Sequence, residues 1–498
     1  MKYVLGVDLG TSAVKVILVN KLGEIKAEAT REYPLSHPAP GYSEQNALDW
    51  ITGTLESIKE IMDSGVVAAK DVEGMSFSGQ MHGLVLIDEA GILLRPAILW
   101  NDVRTTEQCA KITETLGAHL LDDLKNKALE GFTLPKILWV QQYEPEIFTK
   151  ATSFLLPKDY VRYCLTGVID MDISDAAGTL MLDFKTNTWS TVVCEKFDIN
   201  PSICPPLIDA HGLSGTLLPE MAKETGLTTE TKVFAGGADN ACGALGAGII
   251  NEDVAMASIG TSGVILSYET NANADYQGAV QFHSHGKPNS FYSMGVTLAA
   301  GNSLNWFKET FAMDKSFADM LAGVANVKPG SNGLLFTPYI VGERTPYADP
   351  YIRGSFIGMD TNHTFDHFAR AVLEGITFSL KDSLELMRNV GKKEINKIIS
   401  IGGGAKNEDW LQMQADIFNA TIIKLTSEQG PALGSAILAA MGCAWFDSFE
   451  ACTEVFIGYE KEFHPIPENV ALYEKAYQIY TQVYAQTKAM NEQLHELR

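Results

Sequence analysis

Apolar and polar positions alternate along this chain in runs that fix its class before any motif is considered. Tyr3–Val7 and Val14–Val19 are short β-rich runs separated by a Gly-Thr-Ser turn, which predicts a hairpin. Leu48, Ile51, Leu55, Ile58 and Met62 recur at steps of three and four and predict an amphipathic helix. Leu84–Ile87 and Ile92–Trp100 read as strands around a polar turn, and Thr105–Leu116 reads as a helix. Pro431–Phe446 is the most apolar stretch, but it is shorter than the roughly 20 residues that span a bilayer and reads as a buried helix. From Glu468 to Arg498 the pattern predicts a closing helix with Tyr473, Tyr477, Tyr480 and Tyr484 on one face. Strands and helices in alternation predict an α/β fold.

The chain also repeats itself. Leu9-Gly10-Thr11-Ser12 returns as Ile259-Gly260-Thr261-Ser262, 250 residues later, each time at a strand turn followed by β-rich sequence. Ala241-Cys242-Gly243-Ala244 is echoed, in the same order, by Ala432-Leu433-Gly434-Ser435. Two echoes in one order point to duplicated halves with a boundary near Ala244–Asp253, hence domains over 1–246 and 247–498. Two similar halves leave a cleft, where small-ligand sites concentrate.

Composition narrows the function. A net charge of −23 repels phosphate backbones and anionic membranes, so neither nucleic acid nor membrane is an expected partner. A nucleotide ligand is compatible with it, because backbone N–H groups and a metal ion need little net positive charge. The seven cysteines form no C-x-x-C pair, and the N-terminus enters a strand pattern without a signal-peptide core. Both fit a protein of the reducing cytoplasm.

Asp8-Leu9-Gly10-Thr11-Ser12 places a carboxylate at a strand end, then a glycine turn, then two hydroxyls. Thr11 and Ser12 offer donors to phosphate, and Asp8 suits Mg²⁺, a hard cation that takes carboxylate and water. An ordinary hairpin turn has the same composition. The second copy, Gly260-Thr261-Ser262, lets two turns grip one polyphosphate, and Ser258 stands where the first copy has Asp8. Gly402-Gly403-Gly404 follows the apolar run Ile398–Ile401 and permits close approach of a flat or anionic ligand, with Asn407 opening a helix. A dinucleotide fingerprint would need different glycine spacing. Asp239, in Gly236-Gly237-Ala238-Asp239-Asn240, is either a helix N-cap or a carboxylate facing the cleft. The matching position of the second half is Gly430, so capping alone does not require Asp there. An Asp so placed can accept a hydroxyl proton in phosphoryl transfer, and a helix N-terminus is expected to keep it ionised. Gly79–Gly83 and Trp100–Arg104 combine an aromatic, two amides, a carboxylate and a His, a mix that suits a polyol. His82 alone could equally be structural, and Arg104 alone suggests an ion pair.

With these pieces in order, the sequence resembles the FGGY family of carbohydrate kinases over essentially its whole length. The matching motifs are DLGTS at Asp8–Ser12, SGQMHG at Ser78–Gly83, ILWND-x-R at Ile98–Arg104, F-x-x-PK-x-LW at Phe132–Trp139, LLPKDY at Leu155–Tyr160 and SDAAGT at Ser174–Thr179. GGADNA at Gly236–Ala241, GTSG at Gly260–Gly263, GERTP at Gly342–Pro346, RAVLEG at Arg370–Gly375 and IGGGA at Ile401–Ala405 complete them. The resemblance implies two duplicated ribonuclease-H-like domains of the actin/hexokinase type. It implies Asp239 as catalytic base, with Asp8 and Asp239 near Mg²⁺, and ATP phosphate contacts from Thr11, Ser12, Gly260 and Thr261. Gly403, Gly404 and Asn407 then form the α-phosphate and adenosine wall, and Gly301 and Asn305 line the nucleotide. Met81, His82, Trp100, Asp102 and Asn240 correspond to sugar contacts, with Phe132 at the border, while Arg344 and Glu374 correspond mainly to loop and helix supports. QMHG with WND-x-R favours the branch that phosphorylates O5 of D-xylulose; another ketose, gluconate or a polyol is the alternative substrate. An actin-like ATPase or a sugar sensor is the alternative outside kinase chemistry. A homodimer fits the resemblance. Ala238 departs from it, replacing a common third glycine.

Overall fold

A computed structural model describes residues 1–497, so Arg498, the last residue of the expected closing helix, lies outside the described residues. The Tyr3–Leu9 strand pairs antiparallel with Ala13–Asn20 and parallel with Val72–Gly79. Val254–Ile259 does the same with Gly263–Glu269 and Lys397–Gly402. Each trio lies within a seven-stranded mixed sheet. The register of the two trios matches: Asp8 stands opposite Ser78, and Ser258 opposite Ile401. The echoed motifs are therefore equivalent points of two copies of one fold, and the chain is an α/β protein of two ribonuclease-H-like domains of the actin/hexokinase type.

The central strands are apolar nearly throughout, as expected where helices cover both faces. Val4, Leu5, Val7 and Leu9 are fully buried. The amphipathic helix expected around Leu48–Met62 forms over Ala47–Asp63, capped by the Asn46 side chain, and seats Trp50 and Ile58 in the core. The two small-residue helices, Asp239–Ala247 and Gly430–Gly442, cross at the centre of the molecule. Their backbones touch: a Cβ on Gly434 would stand 1.8 Å from the Cys242 carbonyl oxygen. Only glycine permits that approach, which explains the small residues in both echoes. The closing helix runs Pro467–His495, with Tyr473, Tyr477 and Tyr480 buried. No helix among the described residues is long and apolar enough to cross a membrane.

One expected strand is mostly absent. Of Ile92–Trp100 only Ala97–Ile98 is a strand, paired with Glu44–Gln45, while Val85–Ile87 turns to pair with Ser153–Leu155. Pro96 lacks the N–H a ladder needs, and Arg95 is held by Glu44 and Glu144 at 2.8 and 2.7 Å.

The two halves are also tied away from the crossing helices. Asn126 donates to the Phe282 carbonyl at 2.7 Å and accepts from its N–H at 2.9 Å. This side-chain amide clamps the first half to the edge strand Gln281–Ser284 of the second.

Candidate active site

The first Gly-Thr-Ser turn is braced from behind so that its free edge faces the cleft. Tyr33 donates its hydroxyl to the Gly10 carbonyl, and Gln45 donates to the Thr11 carbonyl at 2.7 Å. Gln80 in turn donates to Gln45 at 3.0 Å. Trp100, 43% exposed, donates its indole N–H to the Thr11 hydroxyl at 2.9 Å. The phosphate-type turn and the segment suited to a polyol thus share a hydrogen bond.

Met81, His82 and Asn240 meet beside this turn. The Asn240 amide lies 3.5 Å from the Met81 sulfur, and the Tyr292 hydroxyl of the second half lies 3.9 Å from it. His82 adopts a left-handed backbone, φ 69°, and packs edge-on to Phe132 at 4.8 Å between ring centroids. Burial, helped by the nearby His283, Lys136 and Arg344, keeps its pKa well below the usual imidazole range. Its Nδ1 lies 2.5 Å from the Gly178 carbonyl, which can only accept, so Nδ1 carries the proton. Nε2 of the neutral ring is therefore an acceptor, suited to a sugar hydroxyl.

Asp239 is the first residue of its helix, and Ala238, extended, occupies the cap position. The carboxylate makes no capping bond: Oδ1 accepts from the Asn240 N–H at 2.6 Å and its side-chain amide at 3.0 Å. Oδ2 has no hydrogen-bond partner among the described residues. The helix N-terminus does not dominate its ionisation, contrary to expectation. Burial, reinforced by the charge of Asp8, lifts Asp239 to about 7. Burial likewise lifts Asp8 to about 6, with Ser78 and Lys15 pulling the other way. Two half-buried carboxylates, both raised by burial and one raised further by the other's charge, are a donor set that a divalent cation neutralises.

Across the cleft, a cavity of about 430 Å³ is lined by Gly260, Thr261, Gly301, Asn305, Gly403 and Asn407. Its apolar wall comes from Leu304, Phe317, Leu321 and Trp410, with Lys406 at the rim. The turn and the helix start are fused, because the Thr261 carbonyl accepts from Ala300 and Asn302, both at 3.0 Å. Gly301 sits so close that a Cβ there would stand 2.4 Å from the Gly260 carbonyl oxygen. Gly404 forms no part of that lining and is buried against Ile259. Asn407 caps the following helix at the Trp410 N–H, 2.9 Å.

Residues 3–246 match the FGGY family of carbohydrate kinases, N-terminal domain, and residues 255–443 match its C-terminal domain. The chain belongs to this family. It is 56% identical over 498 residues to a xylulose kinase of Bacillus subtilis (strain 168), covering 100% of both chains. It is 53% identical over 502 residues to a xylulose kinase of Lactococcus lactis subsp. lactis (strain IL1403), covering 100% of this chain and 99% of the relative. A ligand-bound xylulose kinase from Lactobacillus acidophilus is 26% identical, with a TM-score of 0.93 over 99% of this chain and 100% of that one. Like the FGGY kinases it resembles, the protein is an ATP-dependent sugar kinase.

Within this FGGY kinase two of the expected site residues are displaced, Gly404 from the cavity and Asp102 from the sugar segment. Asp102 is fully buried behind Trp100. Its oxygens accept from the Ser43 N–H at 2.6 Å and from the Arg104 side chain at 2.9 and 2.7 Å. It braces the Trp100 loop and turns no face to a ligand. Glu374 supports loops as expected, accepting from Gly330, Ser331, Arg370 and Tyr473.

Sequence reasoning assigned no role to the residues that hold the Asp239 segment. Lys158, fully buried, lies 2.6, 2.7 and 3.0 Å from Asp159, Asp172 and Asp175. Burial alone would lower its pKa; the three carboxylates raise it instead. Ser174 donates to Asp172 and accepts from the Ala238 N–H at 2.9 Å, one residue before Asp239. Arg162 holds the Ala235 carbonyl at 2.5 Å. LLPKDY and SDAAGT were visible as motifs, but only the fold joins them. Ser174→Ala is expected to lower kcat about 10–100-fold by loosening the Asp239 segment, with KM for ATP unchanged in steady-state assays. On the nucleotide side, Gly301→Ala is expected to raise KM for ATP about tenfold or more while KM for sugar stays within about twofold.

Proposed function

We propose that this kinase transfers the γ-phosphoryl group of ATP to O5 of D-xylulose. Residues 1–246 carry the sugar site and base, and residues 247–498 most of the nucleotide site. The observation that carries the reading is Asp239, with one carboxylate oxygen free, joined through Asn240 to Met81 and lying in the field of Asp8 at the strand end before the first turn. Nε2 of His82 accepts from a sugar hydroxyl, and the Trp100 face covers C–H groups. The Thr11, Ser12 and Thr261 edges bind the β- and γ-phosphates, and Gly403 and Asn407 wall the α-phosphate and adenosine. Asp239 takes the O5 proton as the phosphoryl group moves. Asp8, with Asp239 near it, would hold Mg²⁺, which supplies neutralisation of phosphate charge.

Incubation with Mg²⁺·ATP and D-xylulose, followed by phosphorus–proton coupled NMR of the product, tests this. Phosphorus coupled to the two C5 protons is expected. Phosphorus on another carbon, or no product, would overturn the reading.

A further inference from the structure

The GERTP segment reads as a support in the sequence, yet its two charged residues part company in the structure. Glu343 is the support. Buried, it accepts from the Leu298 N–H at 3.0 Å, the Arg344 N–H at 2.7 Å and the Ser379 hydroxyl at 3.1 Å, and from Thr297. Thr345 is bolted to the same strand, exchanging bonds with Val296 at 3.0 and 3.1 Å. That strand, Phe291–Thr297, runs from Tyr292, which touches Met81, to Thr297, which pairs with Gly263 at the end of the second phosphate turn. Arg344 therefore projects from a rigid base at the junction of the sugar and nucleotide sites.

Its guanidinium has no carboxylate within 4.0 Å and no side-chain hydrogen bond among the described residues, and the side chain is exposed. Its charge is felt at His82 and Glu130 of the first half. An arginine held firmly at its backbone and left unpaired at its head is placed to receive an anion.

We propose that Arg344 is a catalytic residue that contacts the oxygens of the phosphoryl group in transfer. The proposal rests on the functional reading above. The O5–phosphorus bond forms as the bond from γ-phosphorus to the bridging oxygen breaks. That electron pair leaves with ADP, the hydroxyl proton passes to Asp239, and Arg344 neutralises charge without exchanging a proton.

The test measures kcat, both KM values and thermal midpoint for wild type, Arg344→Gln, Arg344→Lys, Arg344→Ala and Glu130→Gln. Arg344→Gln is expected to lose about 100-fold or more in kcat with an unchanged midpoint, Arg344→Lys to recover part of it, and Glu130→Gln to stay within about threefold of wild type. Millimolar guanidinium is expected to raise the rate of Arg344→Ala and not that of wild type. Arg344→Gln within about threefold of wild type would overturn the proposal, as would an equal loss in Glu130→Gln, which would make Arg344 a cross-cleft latch. A wild type without sugar-dependent ADP release would overturn the functional reading itself, and this proposal with it.

Discussion

Asp239→Asn is expected to lower sugar phosphorylation by about 10³–10⁴-fold while the protein folds and binds ATP and sugar as before. The substitution keeps the shape and the contact with the Asn240 N–H but removes the acceptor for a hydroxyl proton. Its thermal midpoint should not fall, because a carboxylate that burial and Asp8 lift to about 7 is costly to ionise in place. The same shift sets the acid limb of the wild-type profile. A general base works only when deprotonated, so in the proposed role kcat/KM is expected to fall about tenfold per pH unit below about 7. Near-normal turnover in Asp239→Asn, with an unaltered acid limb, would remove this residue from the chemistry.

Asp8→Asn is expected to cost about 10³-fold in kcat and to weaken the dependence on Mg²⁺, because the strand-end carboxylate is the only part of the first turn suited to a hard cation. It should also act on its neighbour. Asp8 is the second cause of the raised Asp239, after burial, so removing its charge is expected to move the residual acid limb to lower pH. A loss of activity with the limb unmoved would mean that the two carboxylates do not share a field.

The duplicated architecture was legible because its strongest constraints are local. The Gly-Thr-Ser turns need particular small and polar residues, and the crossing helices tolerate nothing larger than glycine where Gly434 meets Cys242. Ile92–Trp100 misled because apolar content signals a strand while Pro96 denies it the ladder. Of the residues expected on the nucleotide side, Gly301, Asn305, Gly403 and Asn407 share one cavity. Phe317 and Leu321, which complete its apolar wall, carry no motif. Asp102 was misplaced because a carboxylate in a polar loop looks available until Ser43 and Arg104 are seen to occupy it. The raised pKa of Asp239 depends on burial and on a residue 231 positions away, neither of which a helix-terminus argument contains.

The most direct test of this account is coupled ADP release with Mg²⁺·ATP across D-xylulose, L-xylulose, D-ribulose, gluconate and glycerol. The account expects release that depends on sugar and strongly prefers D-xylulose. Preference for another of the five would discard the substrate while leaving the base and phosphate turns in place, and ADP release indifferent to every sugar would contradict the central claim.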